Sequence, residues 1–295
     1  ALYDLAGKGR AAFTTDGFVV RPLFFPGGDI GRLAVSGTIN DLAVSGAIPR
    51  YLSVGMILEA GFETGTLRKI AASIAQTAQA AGVRVVTGDT KVVERGHADG
   101  IYITTAGLGT LDGPWNLPAQ RVQAGDVILA TGPIACHGMA IMASREDLGF
   151  SPPIESEVKP LASLLAALLR TGLPVHALRD PTRGGVASTL TEWAHGDIDI
   201  TLDEPALPLR ADVAAACALL GLDPLFVANE GVALVALPAS AAEKALEVLG
   251  SHPDGELAAR IASAEPGRGR VLARAGTGAL RRVFLPSGEL LPRIC

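Results

Sequence analysis

Apolar and polar positions along this chain switch between a period of about two and a period of about 3.6, and the switches mark its elements. Phe13-Thr14-Thr15-Asp16-Gly17-Phe18-Val19-Val20 predicts a strand with an aspartate in mid-run. The turn Pro26-Gly27-Gly28-Asp29 comes next. Ile30, Leu33, Ala34 and Gly37 then fall on one helical face, with Asp29 as N-cap, and the pattern runs through Asn40-Asp41 to Val44. Residues 51–58 predict a strand. Leu67, Ile70, Ala71, Ile74, Ala75 and Ala78 share one face of a helix that Thr66 caps and Gly82 ends. Residues 83–86 read as a buried strand leading into Gly88-Asp89-Thr90-Lys91, and 101–106 as another.

Residues 111–118, with Gly113, Pro114 and Pro118, break both periods and read as a linker. It divides the chain into a first unit, 1–117, and a second, 118–280. The second opens with a strand at 126–130 and the turn Thr131-Gly132-Pro133. A helix at 160–170 and a strand at 175–178 lead into Arg179-Asp180-Pro181-Thr182-Arg183-Gly184-Gly185, and a helix follows through Trp193. A strand at 197–202, a helix at 209–220, a strand at 232–237 behind Asn229-Glu230-Gly231 and a helix capped by Ser240 complete the pattern, with short strands ending at 280–285. Strands alternating with helices predict an α/β (α+β-like) chain whose sheets are at least partly parallel. Pro286 and Pro292 withhold amide donors, so 281–295 is expected to be an extended tail ending in Cys295. From Gly288 it could stretch over roughly 23 Å, at about 3.3 Å per residue.

Composition narrows the class. The 295 residues are 48% hydrophobic but only 4% aromatic, with 35 glycines, which suits an α/β protein rich in small aliphatic residues and tight turns. A net charge of −5 offers no footprint for nucleic acid or an anionic membrane. The longest apolar stretches, such as 161–169, are too short to span a bilayer. The chain begins at Ala1 without a methionine, from which further residues upstream are expected. Cys136, Cys217 and Cys295 form neither a disulfide framework nor a zinc spacing, and fit a reducing cytoplasm.

Candidate chemistry sits at element ends. Asp16, Asp41 and Asp89 occupy three segments of the first unit; converging, they would make an all-oxygen site suited to Mg²⁺, whereas singly each reads better as a turn or cap residue. Gly88-Asp89-Thr90-Lys91 ejects a carboxylate, a hydroxyl and an ammonium where open sheets bind ligands, and Lys91 could neutralise phosphate charge. The dinucleotide and P-loop glycine patterns are absent. The turn carrying Asp180 and Arg183 either offers amides to an anion or is an ordinary strand-to-helix connection. Glu230, just before an apolar strand, is either a desolvated general base or a salt-bridged structural residue. His97, His137, His176, His195 and His252 lack metal spacing; only His137, expected in a loop, is an acid/base candidate. Cys217 is expected in the core.

Together, and in this order, several segments resemble the carbamoyl dehydratases of hydrogenase maturation, the HypE family, in the superfamily of aminoimidazole ribonucleotide synthetase and selenophosphate synthetase. They are Phe24-Phe25-Pro26-Gly27-Gly28-Asp29-Ile30-Gly31, Asn40-Asp41-Leu42-Ala43-Val44-Ser45-Gly46-Ala47, Gly88-Asp89-Thr90-Lys91-Val92-Val93, residues 179–185, Asn229-Glu230-Gly231 and the terminal Pro292-Arg293-Ile294-Cys295. The resemblance implies a two-domain aminoimidazole ribonucleotide synthetase-like fold whose first-domain sheet pairs across a homodimer. It implies ATP and Mg²⁺, with Asn40, Asp41, Asp89, Thr90, Lys91, Asp180 and Arg183 at the nucleotide and Asp16, Asp41 and Asp89 at the metal. Cys295, Lys91 and Glu230 would be catalytic: a carbamoyl group on Cys295 would be dehydrated to a thiocyanate, the source of the cyanide ligands of [NiFe]-hydrogenase iron. The implied partners are a HypF-like carbamoyltransferase and an iron-carrying HypC–HypD-like scaffold.

Two departures stand out. The His- and Gly-rich opening stretch of the family is absent upstream of Thr15-Asp16, and Cys136-His137-Gly138 replaces its Asp-His-Gly. Two rival readings are selenophosphate synthetase-like phosphoryl transfer, which selenide-dependent ATP turnover would reveal, and a non-catalytic adaptor docking through its tail.

Overall fold

The computed structural model describes residues 1–4 and 9–285. In the first half these form β1 (Leu2–Asp4), β2 (Arg10–Phe18), the short β3 (Phe24–Phe25) and β4 (Gly28–Asp29), α1 (Ile30–Val44), β5 (Ile48–Glu59), α2 (Thr64–Ala80), β6 (Arg84–Val93) and β7 (Ile101–Leu111). In the second they form β8 (Asp126–Ala130), α3 (Cys136–Arg145), α4 (Ala162–Arg170), β9 (Ala177–Arg179), α5 (Gly185–Trp193), β10 (Ile198–Asp203), α6 (Ala211–Leu220), β11 (Leu234–Pro238), α7 (Ala242–Gly250), β12 (Ala259–Pro266), β13 (Val271–Arg274) and β14 (Leu280–Val283). No helix among the described residues is long and apolar enough to cross a membrane.

The first half builds a five-stranded sheet in the order β1-β2-β7-β5-β6, the second a seven-stranded one in the order β14-β13-β10-β12-β8-β11-β9. Both are mostly antiparallel; β5–β6 and β10–β13 are the parallel pairs. These parallel pairs meet the expectation, drawn from alternating strands and helices, of sheets at least partly parallel. Among the described residues only β5-α2-β6 joins two adjacent parallel strands directly through one helix; the loop after β6 sends β7 to the far side of β5, where it runs antiparallel.

The core has α1 at its centre. Asp29 caps it as expected: Oδ1 accepts from Gly31 N at 2.7 Å and Arg32 N at 3.1 Å, while Oδ2 accepts from Ser73 Oγ at 2.6 Å and ties α1 to α2. The helix is buried along nearly its whole length. Ile30, Leu33 and Ala34 share a core with Ile141 and Val158 from the second half, and Ala43 and Val44 pack with Leu161, Leu164 and Leu168. The two halves are therefore joined by a continuous apolar interior.

Four local expectations are corrected. Thr66 does not cap α2: the helix starts at Thr64 behind Glu63, to whose carboxylate the Thr66 hydroxyl donates. Residues 136–145 form α3 rather than a loop, so His137 lies in its first turn, fully buried. Ser240 sits in a short 3-10 turn ahead of α7, not at its cap. At the end of the chain, β14 pairs with β13 through Val283, so the chain does not leave the sheet at 281; residues 286–295, with Cys295, lie outside the described residues.

Candidate active site

β2 turns alternate side chains to alternate faces of its sheet, and Thr14, Asp16 and Phe18 point towards α1. Thr14 Oγ1 donates to Asp41 Oδ2 at 2.7 Å, and a methyl built on Gly37 would meet the Phe18 ring at 2.9 Å. Asp16 lies between these contacts, accepting from the Gly17 amide at 2.7 Å. Burial raises the pKa of its carboxyl and the neighbouring charge of Asp41 adds to this, while the Gly17 amide and Arg183 pull it down.

Asp180 closes the cluster from the second half. Burial pushes its carboxyl up to about 6, with Asp41 and Asp16 adding repulsion and Arg179 opposing. Its loop is pinned by Asn229, whose Nδ2 donates to Pro181 O at 2.8 Å and to Val227 O at 3.0 Å, and whose Oδ1 accepts from Ala135 N at 2.7 Å. Beyond Arg183, Gly184 and Gly185 adopt φ of +74° and +59°; Gly185 also runs so close to the backbone at Leu225 that a Cβ would lie 2.5 Å from its carbonyl oxygen. This turn opens α5, as the spacing predicts. A cavity of about 420 Å³ lies beside Asp41 and Arg179, between the first sheet and the linker.

Glu230 is 5% exposed, and its Oε2 lies 3.8 Å from where a Cβ on Gly37 would be. It thus faces α1 one helical turn from Asp41, on the same side of the helix. Asn40 does not reach the cleft. It is buried and its carboxamide is fully engaged, Nδ2 donating to Lys159 O at 3.1 Å and Glu230 O at 3.2 Å, and Oδ1 accepting from Leu161 N at 2.7 Å. It holds the backbone behind Glu230.

Asp89, Thr90 and Lys91 lie on the edge strand β6, exposed, with Lys91 Nζ 3.0 Å from Asp89 Oδ2. That hydrogen bond, followed by the Thr90 amide, lowers the Asp89 pKa. Across the sheet Asp89 is in register with Gly55, Thr104 and Gly17, while Asp16 is in register with Thr105 and Val54. Asp89 and Lys91 therefore project from the opposite face to Asp16, three strand spacings or about 14 Å away. The expected trio of Asp16, Asp41 and Asp89 is not assembled within one chain, and no group of three or more His, Cys, Asp or Glu among the described residues is placed to hold a metal.

The remaining candidates are inert. Burial pushes His137 down to about 3, which keeps it neutral. Burial, then the charge of Glu157, pushes the Cys136 thiol up to about 12; burial and Asp223 push Cys217 up to about 11. Sequence reasoning missed Thr14 and Glu157. The alternation that exposes Asp16 to α1 also selects Thr14, so that signal was available. Glu157 lies in the polar run Glu155-Ser156-Glu157, which looks like a solvated loop.

The chain matches the family models described as AIR synthase related protein, N-terminal domain, over residues 1–111, and AIR synthase related protein, C-terminal domain, over residues 123–273. It is 48% identical over 289 residues to the carbamoyl dehydratase HypE of Azotobacter vinelandii, spanning 97% of this chain and 85% of that protein. Among solved structures it is similar to the crystal structure of a HypE–HypF complex, with a TM-score of 0.90 and 44% identity over 94% of this chain and 90% of that one. It is also similar to HypE in complex with ATP, with a TM-score of 0.93 and 42% identity over 99% of this chain and 89% of that one.

Proposed function

The chain belongs to the AIR synthase related family, and we propose that it acts there as an ATP-dependent carbamoyl dehydratase of hydrogenase maturation, carrying its substrate on Cys295. The observation that carries this reading is one cluster drawn from both halves: Asp16, Asp41, Asp180 and Arg183, with Glu230 on the same side of α1. The buried Cys136 and Cys217 thiols have raised pKa values, which favours Cys295 as the sulfur that reacts.

A carbamoyl group on Cys295 is a thiocarbamate, S–C(=O)–NH₂. Forming S–C≡N requires the carbonyl oxygen to leave, and oxide is not a leaving group. Transfer of the ATP γ-phosphoryl group to that oxygen lets it depart as phosphate, while the nitrogen gives up two protons and gains two bonds to carbon. In this reading Glu230 takes a proton from nitrogen. Lys91 steadies the transferred phosphoryl group, and Asp180, Arg183 and Thr90 line the nucleotide.

Mg²⁺ is supported by Asp16 and Asp180, carboxyls that burial and neighbouring negative charge hold above their ordinary range and that a cation would relieve. Asp16 and Asp41 would hold it, with Asp89 of a second copy, and it would supply positive charge to the phosphates.

We read the unit as a homodimer. Phe13, Leu108 and Tyr51 are exposed and form an apolar row across three strands of the first sheet, on the face that also carries Asp89 and Lys91. In this reading a second copy supplies β6, with Asp89, Thr90 and Lys91, to the cluster. Residues 1–117 serve as the nucleotide-holding half, 118–280 as the second half and 281–295 as the carrier tail, whose first residues through Val283 still pair in the second sheet. A carbamoyltransferase loading Cys295, for which the HypE–HypF complex is the support, and an iron scaffold of the HypC–HypD kind receiving cyanide complete the reading, in a reducing cytoplasm.

The test is Cys295→Ala incubated with ATP, carbamoyl phosphate and the carbamoyltransferase. It should bind ATP as the parent does and gain no carbamoyl or cyano mass. A variant that still acquired the cyano mass would refute the tail as carrier.

A further inference from the structure

Residues 154–161 link α3 to α4 and pass between the two halves. Ser156 N donates to Pro26 O at 2.9 Å, Val158 is buried in the core around α1, and Lys159 O receives Asn40 Nδ2. Glu157 therefore has its side chain inside the molecule. Its Oε1 accepts from Glu230 N at 2.8 Å and its carboxyl also accepts from the His137 amide, while Oε2 is buried with no hydrogen-bond partner. On the other side of the same residue, the Glu230 carbonyl accepts from Asn40 Nδ2 at 3.2 Å. A Cβ on Gly231 would overlap Glu157 O at 1.9 Å, so the backbone of the link and that of residue 231 are in direct contact.

We propose that Glu157 is a positioning residue for the dehydration: it grips the Glu230 amide while Asn40 grips the Glu230 carbonyl, and so fixes the carboxylate that takes the substrate proton. A buried carboxyl with an orphaned oxygen is costly to keep, and an apolar side chain would pack there without that cost. Burial pushes Glu157 up to about 7; the opposing groups around it are the Glu230 and His137 amides and the charge of Lys159. Glu157 also receives an amide at the start of α3, whose N-cap Ala135 offers no side-chain acceptor, so a helix-capping role must be separated from positioning.

This inference rests on Glu230 being the base, and the experiment reads the two claims apart. Full-length protein carbamoylated on Cys295 is mixed with ATP, and single-turnover dehydration is followed by intact mass for E157A, E157D, E157Q, E230Q and E157A/E230Q, with thermal melts and ATP titrations alongside. E157Q keeps an oxygen that accepts both amides and should turn over within about threefold of the parent. E157A and E157D displace Glu230 and should slow dehydration by about a hundredfold and about tenfold, with ATP affinity unchanged within about twofold. Adding E157A to E230Q should cost nothing further, because both act through one carboxylate. Parental rates in folded E157A and E157D would overturn the proposal. So would a further loss in the double variant, or a fall in ATP affinity matching the fall in rate. If E157A does not fold, E157D and E157Q decide alone. A parental rate in E230Q would sink the base assignment itself, whatever the Glu157 variants do.

Discussion

At the scale of single residues, burial holds two carboxyls at an electrostatic cost. Asp180 at about 6 and Glu157 at about 7 are both raised above the range of a free carboxyl. Between about pH 4 and pH 7 the folded chain therefore holds protons that the unfolded chain has released, and stability falls as pH rises through that window. For Asp180 this loss is about 1–3 kcal/mol. The ligand-free protein should melt at a lower temperature near pH 8 than near pH 5, and Asp180→Asn should remove part of the difference. A melting temperature that rises across that window would contradict the assignment. Residues at this scale were legible where chemistry is local. Asp16 stands out as a carboxylate within a strand and Asp180 and Glu230 beside strand ends, whereas Glu157 acts through an amide more than 70 positions away, which no pattern in its own segment reveals.

Among elements, α1 was the most legible and carries the most. Its cap, its start at Ile30 and its apolar face follow from nearby residues, and tertiary packing agrees with them. Asp29→Ala removes the cap and the Ser73 link together. It should cost about 1–2 kcal/mol in urea unfolding, and a change below about 0.5 kcal/mol would mean the cap is dispensable. α3 was not legible, because Gly132-Pro133 and Gly138 read as a turn and its first residue follows Ala135 at φ 67°, a conformation that packing imposes. The strand order was equally hidden, since local pattern does not reveal on which side of β5 the chain returns as β7. The outer face of the first sheet yields a further expectation. Phe13→Asp with Leu108→Asp should shift the protein to a monomer in light scattering, and an unchanged mass would place the contact between copies elsewhere.

Across the whole molecule, the cluster under α1 and the Asp89–Lys91 pair lie on opposite faces of one sheet, so a complete site needs a second copy in this account. Mixing inactive Asp41→Asn with inactive Lys91→Ala should then restore part of the dehydration. Two self-sufficient chains would stay inactive. The central claim is that phosphorylation makes a carbonyl oxygen leave from a thiocarbamate on Cys295. Its most direct test is the intact mass of full-length protein, carbamoylated beforehand and freed of the transferase, before and after ATP is added, with phosphate counted in the same sample. The account predicts that each chain loses the mass of one water as one phosphate is released. Phosphate released while the carbamoyl mass persists, or water lost without ATP, would contradict it.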